Sequence, residues 1–328
     1  MGFCGVSKKF TQREGPHMSK HKPRLFEGAA TALITPFQKE TQRIDEPAFR
    51  ALIETQLDAD IAALVVAGTT GEASTLTEQE HKALLRIAVE QVDGRVPVIA
   101  GCGSNATEVM LRRSQAAAEV GCRGLLLVTP YYNKATPSGL IQSFGMVADR
   151  VKLPIILYHV PARTGLTVPV SVFAELAKRE NIVAVKEASG SMQTAMEIMA
   201  ACGDDLDIYT GNDELTAPTV AMGGAGVISV LSNLLPAGMQ LLCRLAREWD
   251  NKAAAALQLY YLPLIHALFS EVNPIPVKTA LAMCGRCTEE FRLPMCAMSE
   301  ENKSTLRGIL DRYGIIQTPK IVFSAGKD

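Results

Sequence analysis

The sequence predicts an α/β fold: a (β/α)8 barrel of the TIM type with a C-terminal helical extension. Three observations carry this. Eight short runs rich in β-branched and aliphatic residues alternate with longer amphipathic segments. The runs are continuously apolar rather than alternating, as parallel strands buried on both faces require. The chain of 328 residues has room for one barrel, which takes ~250 residues, and an appendage.

In chain order, residues 1–24 are polar and basic and lack periodicity. Gly15-Pro-His-Met18 reads as an expression-tag remnant or an alternative start, so this stretch is expected to be a disordered extension. The barrel is expected over 25–250. Its strands are assigned to Ala30–Thr35, Ala62–Ala67, Val96–Gly101, Gly124–Thr129, Pro154–His159, Ile182–Lys186, Asp207–Gly211 and Gly226–Val230. The helical patterns that follow are Pro47–Ala59, Thr77–Val92, Thr107–Val120, Ser138–Ala148, Val170–Lys178, Met192–Ala200, Glu214–Met222 and Pro236–Glu248. Eight such units suit a closed barrel better than an open doubly wound sheet. No G-x-G-x-x-G opens a first helix, which argues against a dinucleotide fold. Residues 251–328 form the extension, with helices over Asn251–Ser270, Ile275–Met283 and Glu300–Tyr313 and an unassigned tail after Gln317.

Composition excludes several functions. Lys+Arg 33 against Asp+Glu 34 leaves a formal net charge of −1. That is no surface for nucleic acid or for an anionic membrane. No apolar run reaches the roughly 18 residues of a membrane span. The start lacks a secretory core, and Val6 stands where a myristoylation signal wants Ser or Thr. Eight scattered cysteines then read as reduced and cytoplasmic. Cys284-Gly-Arg-Cys287 is a lone C-x-x-C without a second pair at matching spacing, so no metal and no cofactor are expected.

Lys186 is the most informative residue. It closes the apolar run Asn181-Ile-Val-Ala-Val-Lys186, where a buried strand should reject an ammonium. Either it pairs, with Glu187 as the nearest candidate, or it is held partly neutral. A neutral amine can form a Schiff base with a carbonyl substrate. Its pKa, ordinarily ~10.4, must fall toward about 7–8 for that, and burial is the means.

In barrels of this type the chemistry lies at the C-terminal ends of the strands. Gly68-Thr-Thr-Gly-Glu72 follows the second strand there, Thr129-Pro-Tyr-Tyr-Asn133 the fourth, and Tyr158-His-Val-Pro-Ala-Arg-Thr-Gly165 ends the fifth. Each has a plain alternative. The Gly-Thr-Thr-Gly run could be a tight βα turn or an anion cradle. Tyr131, Tyr132 and Tyr158 could be core aromatics, Arg163 a surface ion pair, and His159 a satisfied histidine at the barrel mouth. Together they answer one need: a 2-oxo acid carboxylate held beside a neutral lysine, with hydroxyls to move protons.

The ordered set of Gly68–Glu72, Pro130-Tyr-Tyr-Asn133, Tyr158–Gly165, Val185-Lys-Glu-Ala188, Gly226-Val-Ile-Ser229 and Asn273-Pro-Ile-Pro-Val-Lys278 resembles the pyruvate-dependent class I aldolases, the superfamily of N-acetylneuraminate lyase. Within it the chain is most similar to the 4-hydroxy-tetrahydrodipicolinate synthase family, over roughly Phe26 to Ile315. The resemblance implies that Lys186 condenses with pyruvate and that Thr70, with Thr69, holds its carboxylate. It implies a proton relay of Thr69, Tyr132 and Tyr158, with Ile228 facing the bound pyruvate. Arg163 would bind the carboxylate of the second substrate, aspartate 4-semialdehyde. It implies a homotetramer built as a dimer of dimers, with one relay tyrosine completing the neighbour's site and Tyr131 the candidate for that crossing. The Thr-Thr pair and Arg163 favour this family over aldolases of sialic acid or 2-keto-3-deoxy sugar acids, and the presence of Lys186, Tyr158, Thr69 and Tyr132 together argues against a catalytically silent 2-oxo acid sensor.

Two departures from the family's pattern stand out. His159 occupies a position where Asn is common. At the positions matching the family's lysine-inhibition pocket, Ala73, Ser74, Glu78, His81, Asn105, Val109 and Tyr131, Glu78 replaces a histidine and Val109 replaces a glutamate. Feedback inhibition by lysine is therefore expected to be weak or absent.

Overall fold

The computed structural model describes residues 22–316. The strands β1 (Gly28–Ala32), β2 (Ala63–Val66), β3 (Val98–Gly101), β4 (Gly124–Val128), β5 (Ile155–His159), β6 (Ile182–Glu187), β7 (Asp207–Thr210) and β8 (Gly226–Ser229) form a closed parallel barrel in sequence order. Gly28 pairs with Gly226 where β1 meets β8. A Cβ on Gly226 would collide with the Gly28 carbonyl, so the seam needs glycine for close backbone approach.

Around the barrel run α1 (Glu46–Leu57), α2 (Glu78–Val92), α3 (Thr107–Glu119), α4 (Pro137–Arg150), α5 (Pro161–Thr164), α6 (Val170–Leu176), α7 (Met192–Cys202), α8 (Thr216–Ala221) and α9 (Pro236–Arg247). Their starts follow local chemistry. The Thr77 hydroxyl accepts from Glu80 N–H while the Glu80 carboxylate accepts from Thr77 N–H, a reciprocal cap on α2. Ser191 caps α7 through Thr194 N–H. The extension is α10 (Asn251–Leu268), α11 (Ile275–Met283) and α12 (Glu300–Arg312).

All eight expected strands are present, most within one or two residues of the expected bounds. The main shift is at the first strand, which runs over Gly28–Ala32 rather than to Thr35. Thr35 has left the sheet, and its hydroxyl donates to the Gly71 carbonyl at 2.7 Å. The expected helix Glu214–Met222 is split into a 3-10 turn at Asp213–Leu215 and α8. The four-residue α5 had no periodicity to reveal it. Lys22 and Arg24, which the sequence assigns to the N-terminal extension, are docked on the barrel. The Lys22 ammonium donates to the carbonyls of Ala177, Arg179 and Ile182, and Arg24 pairs with Asp207 at 3.0 Å. The expectations for residues 1–21 and for the tail after Gln317 lie outside the described residues.

Strand alternation sorts side chains into two layers. Outward residues such as Leu157, Val185 and Ile208 pack beneath the helices in the larger core. Inward residues Ala30, Val65, Ile99, Leu126, Ile156, Tyr158, Ala184, Tyr209 and Ile228 fill the barrel. Phe26 plugs one end, its ring stacked on Tyr209 at 4.1 Å between centroids. This alternation also sends Tyr158 and Lys186 inward and His159 and Glu187 outward.

Candidate active site

Lys186 is the Cα partner of Tyr158 across β5 and β6. It is 7 % exposed, and its ammonium lies 4.3 Å from the Tyr158 ring centroid. Burial lowers its pKa to about 8, against a smaller opposing pull from the Asp213 carboxylate and with help from the Arg163 charge. No carboxylate forms an ion pair with it among the described residues. Glu187, the candidate structural partner, is engaged with His159 at 2.6 Å instead. The lysine is therefore desolvated and unpaired, the state that exposes a nucleophilic amine.

Room for this side chain depends on Gly211. A Cβ there would stand 2.7 Å from Lys186 Cε and 2.6 Å from Ala188 Cβ. No local pattern signals that role, because the contact joins the end of β7 to the end of β6.

Beside Tyr158 opens a cavity of about 260 Å³, lined by Thr69, Tyr131, Tyr158, Arg163 and Asn273 among others; Lys186, Thr70 and Ile228 lie behind these residues and do not line it. Burial raises the Tyr158 pKa, while the Arg163 charge and a hydrogen bond from Thr69 oppose the rise. Thr70 is buried, and Asn273 Nδ2 donates to its hydroxyl oxygen at 3.0 Å. That bond occupies an acceptor lone pair on Thr70 and leaves its proton free for an incoming carboxylate. Arg163 Nη2 donates to the Asn273 main-chain oxygen at 3.2 Å. Ile228 is fully buried in the inner barrel layer.

The structure thus brings Lys186, Tyr158, Thr69, Thr70 and Arg163 into one region. It does not bring Tyr132 there. Tyr132 is 91 % exposed, with a left-handed backbone at φ 71, whereas Tyr131, 38 % exposed, lines the cavity of its own chain. Within this single chain, then, it is Tyr132 and not the expected Tyr131 whose side chain projects away from the cavity.

Glu72 is also part of the site's frame. Its buried carboxylate accepts from the Lys278 ammonium and from Arg292 N–H at 3.2 Å. Lys278 in turn donates to the Glu290 carbonyl at 2.8 Å and lies over the rings of Phe37 and Phe291. His159 is fully buried and satisfied, Nδ1 against Glu187 and Nε2 accepting from Val168 N–H at 3.3 Å. It supports the back of β5 and does not face the cavity.

Among the described residues no group of three or more His, Cys, Asp or Glu side chains is placed to hold a metal ion. No described helix is long and apolar enough to cross a membrane.

Residues 25–313 match the model of the dihydrodipicolinate synthetase family. The chain is 47 % identical over 292 residues to a 4-hydroxy-tetrahydrodipicolinate synthase of Geobacter sulfurreducens, covering 89 % of this chain and all of that one. A relative of the same name from Syntrophobacter fumaroxidans is also 47 % identical, over 293 residues, with 89 % of this chain and all of that one covered. The crystal structure of the Aquifex aeolicus dihydrodipicolinate synthase superposes with a TM-score of 0.87 at 44 % identity, over 88 % of this chain and 99 % of that one. The Acinetobacter baumannii synthase complexed with pyruvate superposes with a TM-score of 0.86 at 36 % identity, over 88 % of this chain and 99 % of that one. With a closed eight-stranded barrel, a desolvated lysine on its sixth strand and this likeness along nearly its whole described length, the chain belongs to the dihydrodipicolinate synthetase family.

Proposed function

We propose that this chain is a lyase that condenses pyruvate with L-aspartate 4-semialdehyde to 4-hydroxy-tetrahydrodipicolinate, on the route to diaminopimelate and lysine. The observation that carries the reading is the Lys186–Tyr158 pair: an unpaired buried amine with a pKa of about 8, beside a phenol that can shuttle protons. The family's curated relatives bear the name of this synthase, which favours it over an aldolase of sialic or sugar acids.

The neutral Lys186 amine attacks the pyruvate ketone. The carbinolamine loses water through protons relayed by Tyr158 and Thr69, giving an imine. The Thr70 proton and the Thr69 side chain hold the pyruvate carboxylate, beside the buried Ile228. Loss of a methyl proton forms the enamine, whose carbon attacks the aldehyde of the second substrate. Arg163 holds that substrate's carboxylate with a guanidinium fork. The substrate's amine then displaces Lys186 as the ring closes, and the free amine returns.

The exposed Tyr132 takes its place in the relay from a neighbouring subunit, within a homotetramer of two tight dimers. The left-handed backbone at Tyr132 is the kind of strain that gathers at functional sites, and its ring is accessible to a neighbouring subunit. The cysteines of the described region are free, in keeping with a reducing cytoplasm.

The test is a coupled assay with both substrates, reading NADPH loss through added dihydrodipicolinate reductase, together with borohydride trapping on pyruvate. Turnover that vanishes in Lys186→Ala, with the adduct mapped to Lys186, supports the reading. Folded protein that traps pyruvate but ignores aspartate 4-semialdehyde would return the choice to a sugar-acid aldolase.

A further inference from the structure

Asn273 stands between the two halves of the site. It precedes α11, is 6 % exposed and lines the cavity. Its Nδ2 is spent on Thr70, and its main-chain oxygen receives Arg163. Its side-chain oxygen Oδ1 is buried and has no partner in the protein. Buried amide oxygens are normally satisfied, and leaving one open is costly. An acceptor left open on a cavity wall marks the place of a donor that arrives with the ligand.

The donor can be identified by elimination among the proposed substrates. Pyruvate offers only acceptors. Aspartate 4-semialdehyde carries an α-ammonium on the same carbon as the carboxylate that Arg163 is proposed to hold. A guanidinium whose Nη2 bonds the main-chain oxygen of the residue carrying the unpaired amide oxygen sets a donor near an acceptor, as such a zwitterionic head requires. The cavity offers one carboxylate as a competing receptor, Glu72, and it is already bound to Lys278 and Arg292 N–H.

We infer that Asn273 Oδ1 accepts the α-ammonium of the second substrate, making Asn273 the residue that selects an amino-acid aldehyde over the same aldehyde without the amine. The inference rests on the proposed function. It also explains why Thr70 and Arg163 share a neighbour: one side chain orients the first carboxylate's donor and reads the head group of the second substrate.

Removing Asn273 also disturbs Thr70, so a simple loss of activity is uninformative. The decisive readout is a ratio. At saturating pyruvate, the KM for aspartate 4-semialdehyde is compared with the inhibition constant of succinate 4-semialdehyde, which lacks only the α-ammonium. Because KM, unlike an inhibition constant, also moves with the pyruvate half-reaction, Thr70→Val is measured in parallel, and only the change of ratio beyond that variant's is assigned to Asn273. In Asn273→Ala, the preference for the amine-bearing aldehyde should fall roughly tenfold to a hundredfold. In the isosteric Asn273→Asp, pyruvate handling should suffer, because a carboxylate cannot donate to Thr70. The preference for the ammonium should nevertheless be kept or increased. Loss of preference in Asn273→Asp, or an unchanged ratio in folded Asn273→Ala, overturns the inference while leaving the synthase reading intact. Wild-type protein that does not turn over aspartate 4-semialdehyde overturns both.

Discussion

Asn273 and Thr70 are 203 positions apart in sequence and 3.0 Å apart at the site. The hydroxyl that would hold the first substrate is therefore oriented by a residue outside the barrel proper. Several consequences can be measured.

The pH dependence of imine formation follows from Lys186. Its ammonium loses the proton around pH 8, so the reactive neutral form grows as pH rises toward that value and saturates above it. kcat/KM for pyruvate should climb on the acid side and level off above about 8. Asp213, a buried carboxyl that accepts from Val230 and Leu231 N–H, favours the charged lysine. Asp213→Asn should shift the limb to lower pH, and a shift upward would contradict the assignment.

Arg163→Ala should separate the two half-reactions. kcat/KM for aspartate 4-semialdehyde should fall about a hundredfold or more, the usual loss when a charge-assisted pair is truncated. Borohydride trapping of pyruvate on Lys186 should continue. Arg163→Lys should recover only part, because an ammonium cannot supply the fork. Equal loss of trapping and turnover would mean that Arg163 serves the first substrate.

Tyr132 and Lys186 should complement across subunits. Tyr132→Phe and Lys186→Ala homo-oligomers should each be nearly inactive. Refolding them together should restore part of the activity, because some sites then draw an intact lysine from one chain and an intact tyrosine from its neighbour. No recovery in mixed oligomers shown to contain both chains would place Tyr132 outside the relay or inside its own subunit's site.

The Lys278–Glu72 pair should be a stability determinant with a kinetic trace. Both side chains are essentially inaccessible, so Lys278→Met strands a buried carboxylate at a cost of about 3–5 kcal/mol. Thermal unfolding should show it. Adding Glu72→Gln should recover much of the loss, since no unpaired charge remains. Because Glu72 belongs to the Gly68–Glu72 loop, kcat/KM for pyruvate should fall in the single variant as well. A lone variant as stable as the wild type would mean that the carboxylate is neutral or relaxes toward solvent.

Lysine should inhibit weakly. Glu78, at the position of a common histidine, is turned to Arg112 at 2.9 Å on the surface. His81 is buried, its Nε2 on the Gly101 carbonyl at 2.8 Å and its pKa lowered by that burial. Val109 offers no charge to an ammonium. A titration with L-lysine should give half-inhibition in the millimolar range or above. A value well below that would sink the prediction.

The barrel was legible because its eight strands are short, doubly buried and separated by amphipathic helices, so periodicity alone reports them. Lys186 was legible for a related reason: an ammonium at the end of an apolar run demands an explanation. Tyr131 and Tyr132 could not be sorted from the sequence, because adjacent residues on a turn diverge according to backbone dihedrals. Nothing in Pro-Tyr-Tyr-Asn announces a left-handed φ at the second tyrosine. Asn273, Gly211 and the Glu72–Lys278 pair act through contacts across long sequence separations. No local pattern encodes such contacts, so the motif around Asn273 could be noticed but given no task.

The separation of Glu72 from Lys278, 206 positions, also bears on how the protein matures during synthesis. Chains emerge from the ribosome N-terminal end first. All eight strands, with Lys186 among them, can emerge and close before α11 has appeared. Such a nascent barrel would carry its nucleophile, but the loop meant to grip the first acid would lack its three distant supports, Asn273, Lys278 and Arg292. Competence would arrive with the last part of the chain, so an interrupted translation product could resemble the enzyme in shape without acting on its substrate.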